Sequence, residues 1–306
     1  MININIRAAS KARIIHLNEL RNKILRSRHL NSLPNYLIDF IKKYLDEILA
    51  GTPKQIERLN AKYYKIQKSS NKRKYDAKLR KIFSYSNFNK SKKEYNLNNL
   101  ADNVSIQYCP YCNRQSIISV TANSIKPDFD HFFPQSKYPL FGLSFFNLIP
   151  SCTICNSRLK SGKVLRLKQY IHPYLDKTLG EYRFSYKYDI ETKNLIKINL
   201  KIDPNSNDKT KIKNTFSLFK IIESYNAHTD EIVDLIKIKQ IYSDRYLKIL
   251  ATQTYQDLKV SEKELYRLAF GVYFDDSDFS KRPFSKLKKD ILSELNIIEN
   301  ERLFLR

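Results

Sequence analysis

Apolar residues recur at helical spacing through the first fifty residues of the chain. Two such stretches are separated near Pro34, and the second ends before Gly51. Because apolar residues three or four positions apart share one face of a helix, the pattern predicts two amphipathic helices. The positions are Ile14, Leu17, Leu20, Ile24 and Leu25 in the first, and Leu37, Ile38, Ile41, Leu45 and Ile48 in the second.

A different pattern begins after residue 180. In the segments 182–188 and 195–202, aromatic and β-branched residues alternate with polar ones around a polar turn at 189–194. Such alternation is typical of strands, so these segments predict a β-hairpin. Helical spacing returns at 209–225, 229–258 and 261–270, and a last helix is predicted from about Pro283 towards Ile298. The predicted fold class is therefore α+β and mainly helical.

All four cysteines lie in two C-x-x-C pairs, with 39 residues between the pairs. Each pair places two thiolates on one tight turn, which is the spacing of a tetrahedral zinc site. Two disulfides are the alternative, but a chain of this length can bury a core without them, and the paired spacing favours metal. With four thiolate ligands, no position remains for water, so we expect a structural zinc at Cys109, Cys112, Cys152 and Cys155.

The chain is strongly basic, with 55 Lys and Arg against 31 Asp and Glu and a formal net charge of +24. Such an excess favours a polyanionic partner, and nucleic acid is the natural one. Segment 54–93 carries 14 basic and two acidic residues interleaved with aromatic ones, which would suit phosphate contact and base stacking. For any single residue there, a solvated helix face with inward-packing aromatics is the plainer interpretation.

Membrane attachment is not expected. No stretch approaches the about 18 uninterrupted apolar residues that a membrane span needs, and the basic N-terminus lacks the apolar segment of a signal peptide. We therefore predict a cytoplasmic protein without a membrane partner.

The segment between the cysteine pairs contains most of the candidate catalytic residues. Residues 115–120 and 126–131 are expected to pair as strands across a turn at 122–124, which leaves Asp130 and His131 at the end of the second strand. A short basic helix or turn is expected after Cys155. A hairpin, a loop and a helix around one metal would bring Asp130, His131, Asn147 and Asn156 within reach of one another.

The order of these residues resembles the four-cysteine subgroup of HNH endonucleases, which have a ββα-metal motif. The matching elements are the first cysteine pair, Asp130-His131 with Pro134, Asn147-Leu148, and the second pair with Asn156 and Lys160. The resemblance extends over about 55 residues of the chain. It implies a central ββα-metal (HNH) module that contains the four-cysteine zinc site and is flanked by helical regions.

The resemblance also implies roles for single residues. His131 would be the general base, since the pKa of histidine lies near neutrality. Asp130 and the amide oxygen of Asn156 would bind a divalent metal such as Mg²⁺ or Mn²⁺, and Asn147 would orient the loop and the base. Asn156 stands where many relatives carry a second histidine, and an amide is the weaker transition-metal ligand. Phosphate contacts are expected from Arg158, Lys160 and Lys163.

The expected function is that of a metal-dependent endonuclease acting on nucleic acid, with DNA favoured over RNA. The predicted parts are a basic helical region at 1–107, the HNH module at 108–163, and the hairpin with a helical region at 164–306. A catalytically inactive zinc ribbon that binds nucleic acid or acts as a scaffold is the alternative. An anti-phage effector restrained by a partner protein, such as an ATPase, is a further hypothesis. His172 could approach the site, although a histidine before proline is more often a turn or packing residue.

Overall fold

The structure is a computed structural model that describes residues 1–4, 6–67, 72–90, 94–118, 127–189, 196–241, 261–299 and 302–303. It has the predicted α+β architecture and is mainly helical. The chain forms two compact units, each built from separate segments. Unit 1 comprises Met1–Asn3, Gln107–Ser116 and Lys177–Arg306, and unit 2 comprises Ile4–Ile106 and Ile117–Asp176. The division at residues 107 and 163 stays a prediction.

Six helices in the described part of unit 2 precede the first cysteine pair: α1 Ile6–Leu25, α2 Asn35–Ala50, α3 Pro53–Ile66, α4 Lys72–Ile82, α5 Tyr85–Lys90 and α6 Leu97–Val104. The two helices predicted around Pro34 are confirmed. Helix α3 begins with a capping box in which the side chains of Thr52 and Gln55 bind each other's backbone N–H. Pro53 follows at the first helical position, where its missing N–H costs nothing.

The buried face of α1 agrees with the predicted one at Leu20 and Ile24 and differs from it nearer the N-terminus of the helix. Ile14 is 54% exposed, whereas Ala12, His16, Leu20 and Ile24 are buried at intervals of four residues. The apolar pattern misled the prediction because a histidine occupies one position of the buried face. On α2, the predicted apolar positions 37, 41, 45 and 48 are all buried, each stabilising the fold by about 1.5–3 kcal/mol.

Two short strands and a helix follow in unit 2. Strand β1, Asp128–His131, pairs antiparallel with β2, Leu148–Ser151, and helix α7, Ile154–Lys160, follows with π-type hydrogen bonding. The predicted partner of β1 was wrong: within the described chain, Ser116 forms a single bridge with Tyr108, while residues 119–126, with the predicted turn, lie outside it. Strand β2 is buried on both faces, so it lacks the alternation by which strands are predicted.

Unit 1 contains the predicted hairpin, formed by β3 Tyr182–Tyr188 and β4 Ile196–Ile202. Its turn at 190–195 lies outside the described residues, as does the part of the helix predicted at 229–258 that follows residue 241. The helix predicted at 209–225 is interrupted at Lys220, which has a φ of 49°. The remaining elements are α8 Lys209–Leu218, α9 Ile221–Tyr225, α10 Asp230–Ile241, α11 Glu262–Phe270, α12 Ser285–Glu294, β5 Ile298–Glu299 and β6 Arg302–Leu303.

None of the helices that the structure describes is both long and apolar enough to cross a bilayer.

Candidate functional site

The four cysteines form a buried cluster in which all sulfur atoms lie within 4.8 Å of one another. None of the four forms a disulfide, so the disulfide alternative is not the one observed. In a tetrahedral site with Zn–S bonds of about 2.3 Å, the sulfur atoms lie about 3.8 Å apart. The size, burial and chemistry of the cluster therefore fit zinc. Over the ranges that the structure describes, no other group of three or more His, Cys, Asp or Glu side chains could hold a metal.

Each cysteine pair lies on a tight turn. In the first pair, the Asn113 N–H donates to the Cys109 carbonyl at 2.7 Å, and Asn113 adopts the left-handed conformation with a φ of 45°. The Cys109 N–H donates to Gln115. In the second pair, the Cys155 N–H donates to the sulfur of Cys152 at 3.5 Å. Such a bond favours the thiolate form, which is the form that binds zinc.

His131 ends β1, and its two ring nitrogens have different surroundings. Nε2 lies 2.9 Å from the Gly142 carbonyl oxygen and 2.8 Å from the side-chain amide of Gln135. Because a carbonyl oxygen can only accept a hydrogen bond, we assign the ring proton to Nε2. The side-chain amide of Gln135 is then assigned with its oxygen facing the ring. Nδ1 makes no hydrogen bond with the described residues and keeps its lone pair. Burial lowers the pKa of His131, so the ring is neutral near pH 7.

Tyr85, at the start of α5, packs against His131. The two rings meet edge to face with centroids 4.8 Å apart. Burial raises the pKa of Tyr85 to about 12, so its phenol stays protonated. The sequence indicated Tyr85 only as one aromatic of the basic segment, since no local pattern connects α5 to β1. This contact restricts the orientation of the imidazole ring.

Asn147 closes the loop between β1 and β2. Its side-chain oxygen accepts from the Phe133 N–H at 2.7 Å, and its amide nitrogen donates to the carbonyls of Phe133 and Phe141 at 3.0 and 2.9 Å. The side chain is fully buried. An amide suits this position because it donates and accepts at once. Asn147 thus holds the loop that carries Gly142 against His131.

Asp130 forms a buried ion pair with Lys160. The Lys160 ammonium lies 2.7 Å from Asp130 Oδ1 and 2.6 Å from the His131 carbonyl oxygen. Both side chains are only 3% exposed. The expected phosphate contact by Lys160 does not fit this placement, because the ammonium is buried and paired. The sequence shows the lysine but not the carboxylate to which tertiary folding brings it.

The other residues predicted on α7 lie nearer the surface. Asn156 is half-exposed, and its side chain makes no hydrogen bond with the described residues, Asp130 included. Its carbonyl accepts from Ser161, a bond to the fifth following residue that characterises a π-helix. Arg158 and Lys163 are exposed. The structure thus brings Asp130, His131, Asn147 and Lys160 together and leaves Asn156, Arg158 and Lys163 at the surface.

His172 is a packing residue. It is fully buried, its ring lies 4.4 Å from that of Phe132, and burial lowers its pKa to about 3. Its backbone N–H donates to Asp176. It contacts Phe132, the residue that follows His131 in the chain.

The comparisons with known proteins give one partial likeness. Protein ea31 of Escherichia phage lambda is 40% identical over 74 residues, which make up 23% of this chain and 22% of that protein. The matched part thus spans about a fifth of the relative's length, so it shows no family for the whole chain. No family model matches the chain. No solved structure matches it either.

Proposed function

We propose that this protein is a metal-dependent endonuclease of the HNH kind, which hydrolyses phosphodiester bonds in nucleic acid, with DNA favoured over RNA. The observation that carries the proposal is the state of His131: a neutral imidazole with a free Nδ1, oriented from one side by a backbone carbonyl and from the other by Tyr85. Asp130 precedes it on the same strand, and the helix that follows the second cysteine pair supplies Lys160.

His131 is the general base of the proposed reaction. Nδ1 takes a proton from a water molecule as the water oxygen bonds to phosphorus and the bond from phosphorus to the 3′ oxygen breaks. The Nε2–H bond to Gly142 holds the ring during this transfer. Burial is the largest influence and lowers the pKa of His131, as does the Lys160 ammonium, whereas the Gly142 carbonyl and the Asp130 carboxylate favour the imidazolium that forms.

Asp130 is the residue that would hold the divalent metal, and Asn156, which lies nearer the surface, is the second ligand that the resemblance implies. A carboxylate and an amide supply the oxygen ligands that hard cations prefer, and Mg²⁺ commonly takes its remaining ligands from water and phosphate. When bound, the ion neutralises charge on the phosphate and on the leaving oxygen. Lys160 already balances the charge of Asp130, so this chain holds the cation more weakly than an unpaired carboxylate would.

Substrate contact is the proposed role of the exposed basic residues beside the site. Arg158 and Lys163 lie close in sequence to the second cysteine pair, and the protein has an excess of 24 positive charges. Contacts to phosphate position a nucleic acid without reading its bases. The proposal therefore includes no sequence specificity.

Cleavage of plasmid, single-stranded DNA and RNA in Mg²⁺ or Mn²⁺ tests this function. We expect His131→Ala to lower the rate at least about 100-fold, because a general base contributes a factor of this size. His29→Ala, a matched change of a half-exposed histidine between α1 and α2, should cleave like the wild type. Equal cleavage by wild type and His131→Ala, or no cleavage of any substrate, would favour the inactive zinc ribbon instead.

We also propose that a regulatory protein such as an ATPase restrains the nuclease in an anti-phage role. A basic nuclease acting alone in the cytoplasm would damage its own cell. Purification of the tagged protein from its native host should recover such a partner, and recovery of a lone monomer would contradict the idea.

A further inference from the structure

One side of α2 carries three aromatic residues that are not part of the core. Tyr36, Phe40 and Tyr44 follow one another at every fourth position and line one edge of the buried face of the same helix. Tyr36 is 43% exposed, and the rings of Phe40 and Tyr44 lie 4.9 Å apart. The three rings thus form a partly exposed aromatic stripe along α2.

These rings form one wall of a groove of about 550 Å³. Helix α3 forms the other wall with Lys62, Lys65 and Ile66, and Ile66 is 41% exposed. The groove lies within unit 2. Its volume is within the range of about 300–1,000 Å³ that is typical of ligand pockets.

The groove also carries an excess of positive charge. Lys43, Lys62 and Lys65 make no ion pair with the described residues, and Asp39 is the single acid of the lining. Neighbouring acids of α2 are paired elsewhere, Asp46 with Arg21 and Glu47 with Arg58. The ammonium groups of Lys43 and Lys62 lie 5.6 and 5.2 Å from the centre of the Tyr44 ring. Positive charge and exposed ring faces thus occupy the same surface.

We propose that this groove binds a short stretch of single-stranded DNA. Bases would stack on Tyr36 and Phe40, and the lysines would contact the phosphates that follow along the strand. A duplex keeps its base faces covered, so the aromatic wall favours a single strand. The inference goes beyond the proposed function, because binding in the groove requires neither His131 nor cleavage.

Binding is measured by fluorescence anisotropy with a labelled 12-nucleotide oligothymidine, using the full-length protein with His131→Ala to prevent cleavage. The test variant combines Lys43→Gln, Lys62→Gln and Lys65→Gln. The control combines Lys11→Gln, Lys42→Gln and Lys54→Gln, which removes the same charge from exposed lysines outside the groove. We expect the test variant to bind at least about 10-fold more weakly, and the control to change by less than about 3-fold. The slope of log K against log salt concentration should become shallower by about 2 in the test variant.

Stacking is tested by Tyr36→Ala, which should weaken binding by about 5- to 50-fold. Tyr188→Ala is the matched control, because Tyr188 is 63% exposed and belongs to the hairpin of unit 1. All changed residues are exposed, so the melting temperature should stay within a few degrees of that of the parent, which excludes misfolding as the cause.

Three further ligands complete the test: a DNA duplex, an RNA strand of equal length and an acidic peptide. Tighter binding of the single-stranded DNA than of all three supports the proposal. Equal losses in the test and control triple variants would overturn it in favour of general electrostatic attraction. Tighter binding of the duplex, the RNA or the peptide in the groove would overturn the assignment to single-stranded DNA.

Discussion

Two buried lysine–aspartate pairs lie in different parts of the molecule and have different surroundings. Lys160 and Asp130 belong to α7 and β1, and their charged atoms are 2.7 Å apart. Lys286 and Asp290 lie one turn apart on α12, with a separation of 2.5 Å. All four side chains are at most 8% exposed. The pairs are alike in chemistry and burial, so these properties alone do not tell their roles apart.

The pair on α12 is occupied by structural contacts. Asp290 accepts from the Phe184 N–H at 2.9 Å, and Lys286 donates to the Tyr182 carbonyl at 3.2 Å, so the pair attaches α12 to β3. Burial raises the pKa of Asp290 and lowers that of Lys286, because both charges are removed from water. This pair shows what a buried ion pair in a purely structural setting looks like.

The pair at Asp130 lies beside His131, the proposed general base. Lys160 also donates to the backbone of His131, whose Nδ1 makes no hydrogen bond with the described residues. The two pairs thus differ in what adjoins them: the pair on α12 binds the backbone of β3, whereas the pair at Asp130 adjoins the titratable ring of His131. The aspartate variants below test this distinction directly, and zinc removal and acid test what else holds the two regions.

Zinc removal should have the largest effect. Cys152 and Cys155 lead directly into α7, which carries Lys160, so the Asp130 pair depends on the cysteine cluster. Structural zinc contributes of the order of 10 kcal/mol in small modules. We expect Cys152→Ser to bind no zinc, as measured by metal content. We also expect this region to lose its cooperative unfolding transition in urea. A variant that binds no zinc and still unfolds like the wild type would contradict a structural role.

Replacing each aspartate in turn should affect stability in both pairs but cleavage in only one of them. Asp290→Ala leaves Lys286 buried without its partner and should lower the free energy of unfolding by about 3–5 kcal/mol. It should leave cleavage by the folded protein unchanged, since the contacts of Asp290 are structural. Asp130→Ala should also destabilise the fold, and it should lower the cleavage rate at least about 100-fold. Urea denaturation and plasmid cleavage are the two measurements.

A milder pair of variants controls for misfolding. Asp130→Asn and Asp290→Asn keep the shape of each side chain and remove its charge. Cleavage should be lost in Asp130→Asn and retained in Asp290→Asn, both at a temperature where each is folded. Equal activity in the two would remove the distinction between the pairs.

Acid should have the smallest effect and should act through buried histidines instead of the ion pairs. Burial lowers the pKa of His16 to about 4, while its ring contacts the Leu143 carbonyl and Tyr95. In the unfolded chain the usual pKa of 6.5 applies, so stability is complete above pH 6.5 and falls as the pH drops towards 4. The loss from His16 should be about 2 kcal/mol at pH 5. The raised pKa of Asp290 acts in the opposite direction.

Denaturation of the wild type and of His16→Gln at pH 7.5 and pH 5 isolates this contribution. The variant should lose less stability than the wild type between the two pH values, whatever its stability at pH 7.5. The same pH dependence in both proteins would show that His16 is not the cause.

Local patterns predicted several elements correctly. The helices around Pro34 and the hairpin of β3 and β4 follow from spacing within single segments. The partner of β1 could not be found in this way, because β2 is a short, wholly buried strand that pairs from a distance along the chain. The buried face of α1 was misplaced for a related reason: His16 is buried only because Leu143 and Tyr95 satisfy its ring nitrogens.

The features of the candidate site also divide into those that the sequence determines and those that tertiary folding determines. The sequence by itself determined the two cysteine pairs, the order of Asp130, His131 and Asn147, and the excess of positive charge, because covalent spacing decides which groups can share one turn. The tertiary structure alone decided that the Gly142 carbonyl lies against Nε2 of His131, that Tyr85 packs on the ring, and that Lys160 lies in the interior. Such contacts join distant segments, and they depend on the packing of the whole unit.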